Sequence, residues 1–137
     1  VEAAGIPFLT NKNTLIAGRV RLAGIDDPWS GDVNFKTAFA GVKTTEPLVI
    51  VCHSPKIFPL VRDMHALVIT SHTHGGQADI PGVPRNKFYG MRGWKYIRGW
   101  YREGNSRMYV NRGLGVVGPL VRFRCRPEIT VYNIKGR

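Results

Sequence analysis

Two short apolar runs, Leu48-Val49-Ile50-Val51-Cys52 and Ala66-Leu67-Val68-Ile69-Thr70, each lead straight to histidine. Both are dominated by β-branched and aliphatic residues and are bounded by polar residues or Gly, the pattern of buried strands. The first ends at His53-Ser54-Pro55 and the second at Ser71-His72-Thr73-His74-Gly75-Gly76-Gln77. Open α/β sheets place ligands in loops at the C-terminal ends of strands. If the two runs are neighbouring strands, they deliver three imidazoles to one small volume. Neutral imidazole is the commonest metal ligand side chain, and Gly75-Gly76 lets the backbone come close to whatever lies there.

The rest of the chain reads as α/β with more strand than helix. Thr14–Ile16 and Arg19–Ile25 flank Ala17-Gly18, a two-residue hairpin signal. Asp32–Ala40 is predicted as a short helix with Asp32 as N-cap and Gly41 as its stop. Ile57–Met64 is predicted as a second, with Pro59 tolerated in its first turn. Residues 75–94 are rich in Gly and Pro and read as irregular. Tyr96–Arg102 and Arg107–Asn111 form a predicted hairpin about Glu103-Gly104-Asn105-Ser106, and Glu128–Ile134 a terminal strand. His65, in the turn before the second apolar run, reads as structural or solvated. Asp26-Asp27 beside Pro28 reads as a turn whose carboxylates accept backbone hydrogen bonds.

A length of 137 residues suits one domain, and 43% hydrophobic residues separate it from disordered chains. No apolar run reaches the roughly 18 residues of a membrane span. Cys52 and Cys125 are too few for a disulfide framework and lack zinc-finger spacing; Cys52 reads as a small apolar packing residue.

Charge is uneven. Residues 1–81 carry seven basic and seven acidic side chains, whereas residues 82–137 carry thirteen and two, which accounts for the whole net charge of +11. Basic residues alternate with Trp, Tyr and Phe through Arg85–Arg102. Such a surface suits an anionic membrane, and after that single-stranded nucleic acid. The same pattern also arises from a solvated basic face whose aromatics point inward. No nucleic-acid motif such as an RNP or KH signature accompanies it.

The histidine segments resemble the calcineurin-like metallophosphoesterases, in particular the bacterial branch acting on lipid-linked or membrane-derived phosphoesters. That family has a Gly-His-Xaa-His motif after one strand, here Ser71-His72-Thr73-His74-Gly75-Gly76-Gln77, and an isolated His closing the strand before it, here Cys52-His53-Ser54-Pro55. Leu22–Gly31, Tyr109–Gly115 and Arg122–Thr130 also look like this branch, so the resemblance runs over nearly the whole chain. It implies an α/β fold, the C-terminal half of a β-sandwich flanked by helices in four αββα layers, with residues 1–137 as part of one domain. It implies two divalent metals (Mn, Fe or Zn), with His53 and His72 serving one and His74 the other. It also implies hydrolysis of a phosphomono- or diester, with lipid-linked esters among the substrates.

Two departures from the family matter. Ser71 stands where the family usually has Gly, which costs strain only if that position needs a positive φ. The family's Gly-Asp-Xaa-Xaa-Asp and Gly-Asn-His motifs are not in this sequence, and the one Asp-Xaa-His triplet, Asp63-Met64-His65, stands before an apolar run and not after one, as the family's does. They supply the carboxylates and the general-acid His, so the resemblance leaves no catalytic residue in this chain and predicts that alone it is inactive or nearly so. An N-terminal half is then expected in cis or as a second chain, and the location is expected to be cytoplasmic or peripheral to the membrane. The alternative of a different class is a non-catalytic binding module that uses residues 85–102 on anionic lipid or nucleic acid.

Overall fold

A computed structural model describes Gly5, residues 8–84 and residues 94–135. Its strands are β1 (Lys12–Ile16), β2 (Val20–Ile25), β3 (Leu48–Cys52), β4 (Ala66–Thr70), β5 (Gly99–Glu103) and β6 (Ser106–Val110). They form one six-stranded sheet in the order β1-β2-β3-β4-β6-β5. The four central strands β2, β3, β4 and β6 run parallel, and β1 and β5 close the edges antiparallel. Two single-turn helices, α1 (Phe35–Ala38) and α2 (Phe58–Val61), lie in the connections before and after β3.

Side chains alternate across the strands, so one residue in two faces the helices. Ala23 and Ile25, Leu48, Ile50 and Cys52, Ala66 and Val68, and Met108 and Val110 pack with Ala38, Ile57, Phe58 and Val61 into the core. Phe58 and Tyr96 meet edge to face within it, their centroids 5.6 Å apart. The opposite face of the same strands is apolar and less covered: Leu22, Leu67, Ile69 and Tyr109 are half-buried, Val51 is 41% exposed and Trp100 is 60% exposed. A 350 Å³ cleft opens on that side, bordered by Leu9, Leu22, Gly24, Val51 and His53.

The two buried strands lie at the predicted residues. The first hairpin closes with three residues rather than two, because Ile16 pairs with Val20; Ala17 and Gly18 both take positive φ. The second hairpin turns on Gly104-Asn105 alone, since Glu103 pairs with Ser106.

Three local expectations are corrected. The helix predicted over Asp32–Ala40 is the single turn α1, and Asn34 caps it through its side-chain oxygen and the Thr37 N–H (3.1 Å). Asp32 is drawn away, because its N–H donates to the Asp26 carboxylate (3.0 Å) and its carbonyl accepts from the Asn11 amide (2.6 Å). The helix predicted over Ile57–Met64 is divided into a 3₁₀ turn at Pro55–Ile57 and then α2. Glu128–Ile134 is not a strand of the sheet. Its start is fixed by one backbone bond, from the Glu128 N–H to the Gly113 carbonyl (3.1 Å), and by side chains: Glu128 binds Arg112 (2.6 Å) and Tyr109, and Thr130 accepts from the Asn111 amide (2.7 Å). No helix among the described residues is long and apolar enough to cross a membrane.

Candidate functional site

The register of β3 on β4, from Leu48↔Ala66 to Val51↔Ile69, makes the two strands finish side by side. One more ladder-like bond continues past them, from the Ser71 N–H to the His53 carbonyl (3.0 Å). His53 and His72 are thereby brought together, with His72 Nδ1 2.9 Å from His53 Nε2 and the rings crossed at 89°. Burial lowers the His72 pKa, the charges of His53, His74 and Lys56 lower it further, and Asp27 opposes them. The net effect favours neutral imidazole, the form that binds metals.

Such a nitrogen pair comes near the spacing of a cation site. Two Zn–N bonds of about 2.0–2.1 Å at the tetrahedral angle hold their nitrogens about 3.3–3.4 Å apart. At 2.9 Å His53 and His72 have the spacing of an imidazole–imidazole hydrogen bond, a few tenths of an ångström short of two adjacent ligands on one tetrahedral ion.

His74 is placed differently. Among the described residues no three His, Cys, Asp or Glu side chains form a group that could hold one metal ion. Backbone geometry is the reason. His72 and His74 take positive φ of 63° and 49°, while Thr73 between them is helical, with φ −77°. His74 turns toward the segment after β6, where its Nδ1 lies 3.1 Å from the Gly115 carbonyl oxygen. An Nδ1–H bonded to a backbone carbonyl leaves the Nε2 lone pair free, the usual outer-shell arrangement of a ligating histidine.

The loop carrying these histidines is strained and firmly held. His72, His74, Gly75, Gly76 and Gln77 all have positive φ, at roughly 1–2 kcal/mol for each non-glycine residue. Strain of this kind persists where the surroundings over-determine it, and it clusters at functional sites. Ser71 is not among these residues, so serine in place of the family's usual glycine carries no such strain. Thr73 Oγ1 donates to the Ile97 carbonyl (2.5 Å). Buried Gln77 donates to the carbonyls of Val117 (2.9 Å) and Pro119 (3.0 Å) and accepts from the Val117 N–H (2.8 Å). Arg122 donates to the carbonyls of His74 (3.2 Å), Arg112 (2.8 Å), Gly113 (3.1 Å) and Gly115 (2.5 Å). One guanidinium thus ties the histidine loop to the loop that positions His74.

Asp26 and Asp27 form the turn expected of them. Asp26 accepts from the N–H groups of Asp27 (2.9 Å) and Asp32, and Asp27 from the Trp29 N–H (3.1 Å) and the Ser30 hydroxyl (3.0 Å). Burial pushes the Cys52 thiol up to about 11, so it stays protonated and packs in the core, donating weakly to the Asp26 carbonyl (3.5 Å).

One group beside the histidines is missing from the sequence reading. Trp94 stacks on His72, with centroids 5.0 Å apart and planes 21° from parallel, and the Lys56 ammonium lies 3.6 Å from the Trp29 ring centre and 4.8 Å from that of Trp94. The available signal was a lysine three positions after His53. Of the basic aromatic stretch 85–102, residues 85–93 lie outside the described residues. In the remainder Lys95 pairs with Glu103, Arg98 pairs with Asp79 (2.8 Å), and Tyr96 and Tyr101 pack in or against the core.

The class to which this arrangement points is found among known proteins. Curated metallophosphoesterases align with nearly the whole chain at about 30% identity. Among them are the uncharacterized metallophosphoesterase YkuE of Bacillus subtilis (31% identical, covering 86% of this chain and 41% of that protein) and the phosphodiesterase YaeI of Escherichia coli (32%, covering 98% and 49%). The UDP-2,3-diacylglucosamine pyrophosphatase LpxG of Chlamydia muridarum is 28% identical, covering 93% of this chain and 41% of that protein. The chain spans about half the length of the curated relatives it matches. No family model matches it, and no solved structure matches it.

Proposed function

We propose that this chain is the C-terminal half of a metal-dependent phosphoesterase domain that hydrolyses a phosphomono- or diester. The observation that carries the proposal is the pairing of His53 Nε2 with His72 Nδ1 at 2.9 Å, where two parallel strands end. His53 and His72 would hold one divalent ion, and His74, with Nδ1 engaged by Gly115, would offer Nε2 to a second. Bound Mn, Fe or Zn would polarise the phosphoryl oxygens and supply hydroxide at neutral pH.

The residues of this chain orient ligands rather than transfer protons. The Ser71–His53 backbone bond fixes the pair, Gly115 fixes the His74 tautomer, and Arg122 and Gln77 lock the loop. The carboxylates and the acid histidine would come from a segment covering the less protected face of the sheet, where Val51 and Trp100 stand exposed. A second sheet packed there would complete a four-layer αββα sandwich. By itself the chain would be inactive or nearly so. The chlamydial relative, a UDP-2,3-diacylglucosamine pyrophosphatase, makes a lipid-linked pyrophosphate one further substrate class to assay, which suits a cytoplasmic or membrane-peripheral protein.

The test is hydrolysis of bis(p-nitrophenyl) phosphate and p-nitrophenyl phosphate by the whole protein, before and after EDTA, with Mn²⁺ or Zn²⁺ restored. Activity that disappears with chelator and returns with metal supports the proposal. Metal-independent activity, or none in the metal-loaded protein, refutes it.

A further inference from the structure

We infer that Lys56 is a substrate-binding residue, its ammonium held between Trp29 and Trp94 so as to receive an anionic oxygen of the phosphoester beside the histidine pair. The inference rests on the proposed phosphoesterase site and adds to it a contact that the histidines do not provide.

Lys56 follows His53-Ser54-Pro55, and the Ser54 hydroxyl accepts from its N–H (3.3 Å), which fixes the backbone from which the side chain extends. The ammonium sits in the wedge between two indoles whose centroids are 6.2 Å apart and whose planes meet at 35°. The negative faces of the indoles attract the ammonium and hold a flexible lysine in place. That favours one position for the head group without neutralising it, which a carboxylate partner would do. Among the described residues Lys56 forms no ion pair. Asp27 accepts from the Trp29 N–H and the Ser30 hydroxyl, and so shapes the turn that presents the indole.

The stack runs His72, Trp94, Lys56, Trp29, and it places an ammonium one indole away from the candidate metal ligands. An ammonium is a compact point charge with three donors, suited to a phosphate oxygen. Lys56 is exposed and Trp29 is 63% exposed, so an ester lying over the histidines has open access to the ammonium.

The experiment compares Lys56→Ala, Lys56→Arg and Trp29→Ala with the wild-type whole protein. It records metal content, KM and kcat for bis(p-nitrophenyl) phosphate, and the affinity for inorganic phosphate followed by tryptophan fluorescence. Expected for Lys56→Ala are unchanged metal content, KM and phosphate Kd raised at least tenfold, and kcat within about threefold. Lys56→Arg should recover most of the phosphate affinity, and Trp29→Ala should fall between. Unchanged KM and phosphate affinity in Lys56→Ala overturn the inference, as does loss of bound metal in that variant. A wild-type protein without metal-dependent hydrolysis would refute the phosphoesterase proposal instead. The phosphate titration would then still decide Lys56, with a tenfold loss supporting it and no change overturning it.

Discussion

The Nη1 of Arg122 donates to the carbonyl oxygen of His74 at 3.2 Å, and the same guanidinium reaches the Gly115 carbonyl that accepts from the His74 ring. A candidate metal ligand is thus held through both its backbone and its imidazole by one arginine 48 residues away.

Removing that guanidinium leaves several carbonyls of two loops short of a donor. Arg122→Ala should destabilise the protein by about 1–3 kcal/mol and weaken metal retention by roughly 10–100-fold, as expected when an outer-shell partner is lost. Arg122→Lys should recover little, because one ammonium cannot reproduce a planar fork that spans several acceptors. Urea unfolding and competition with a metal chelator check both effects.

Gly75 admits no side chain. Its φ is +66°, and an added Cβ would lie 2.4 Å from Arg112 Cγ and 2.9 Å from Cys125 Sγ. Gly75→Ala should cost about 2–5 kcal/mol, from left-handed strain of roughly 1–2 kcal/mol and overpacking of about 1–3 kcal/mol. A fall in thermal midpoint together with loss of metal retention would show that the histidine loop needs this close approach.

Glu128 sets an acid limit. Burial alone would raise its pKa, but hydrogen bonds from Thr130, Tyr109 and Arg112 outweigh burial and hold it at about 2. A carboxylate whose pKa is lower folded than unfolded contributes stability above the unfolded value, and that stability is lost as pH falls through the folded one. Denaturant midpoints should therefore decline between the ordinary Glu pKa of 4.5 and about 2. In Glu128→Gln this part of the decline should be absent, at the cost of lower stability at neutral pH. Parallel pH slopes for the two proteins would show that Glu128 is not the group responsible.

Strands β3 and β4 were legible because continuous β-branched runs have few other uses in a chain of this composition. The pairing of His53 with His72 was legible for the same reason, since register carries strand ends along with the strands. The position of His74 was not, because it depends on positive φ values at non-glycine residues, which sequence pattern does not reveal. The segment from Glu128 has the alternation of a strand, yet a single backbone bond to Gly113 and the side chains of Tyr109, Asn111 and Arg112 hold it, which periodicity cannot distinguish from a ladder. Asp32 and Asn34 are both acceptable N-caps. The choice between them was made by Asn11 and Asp26, more than five residues distant in sequence. The Lys56 contact joins three separate segments and was legible only in space.

The measurement with the most direct bearing on the metal site is the divalent metal content of the purified whole protein, by elemental analysis, for wild type and for His72→Ala. Circular dichroism on both confirms that the variant is folded. The proposed site requires bound Mn, Fe or Zn in the wild type and its substantial loss, together with metal-dependent phosphoester hydrolysis, in folded His72→Ala. Equal metal content and equal hydrolysis in the two proteins would contradict it.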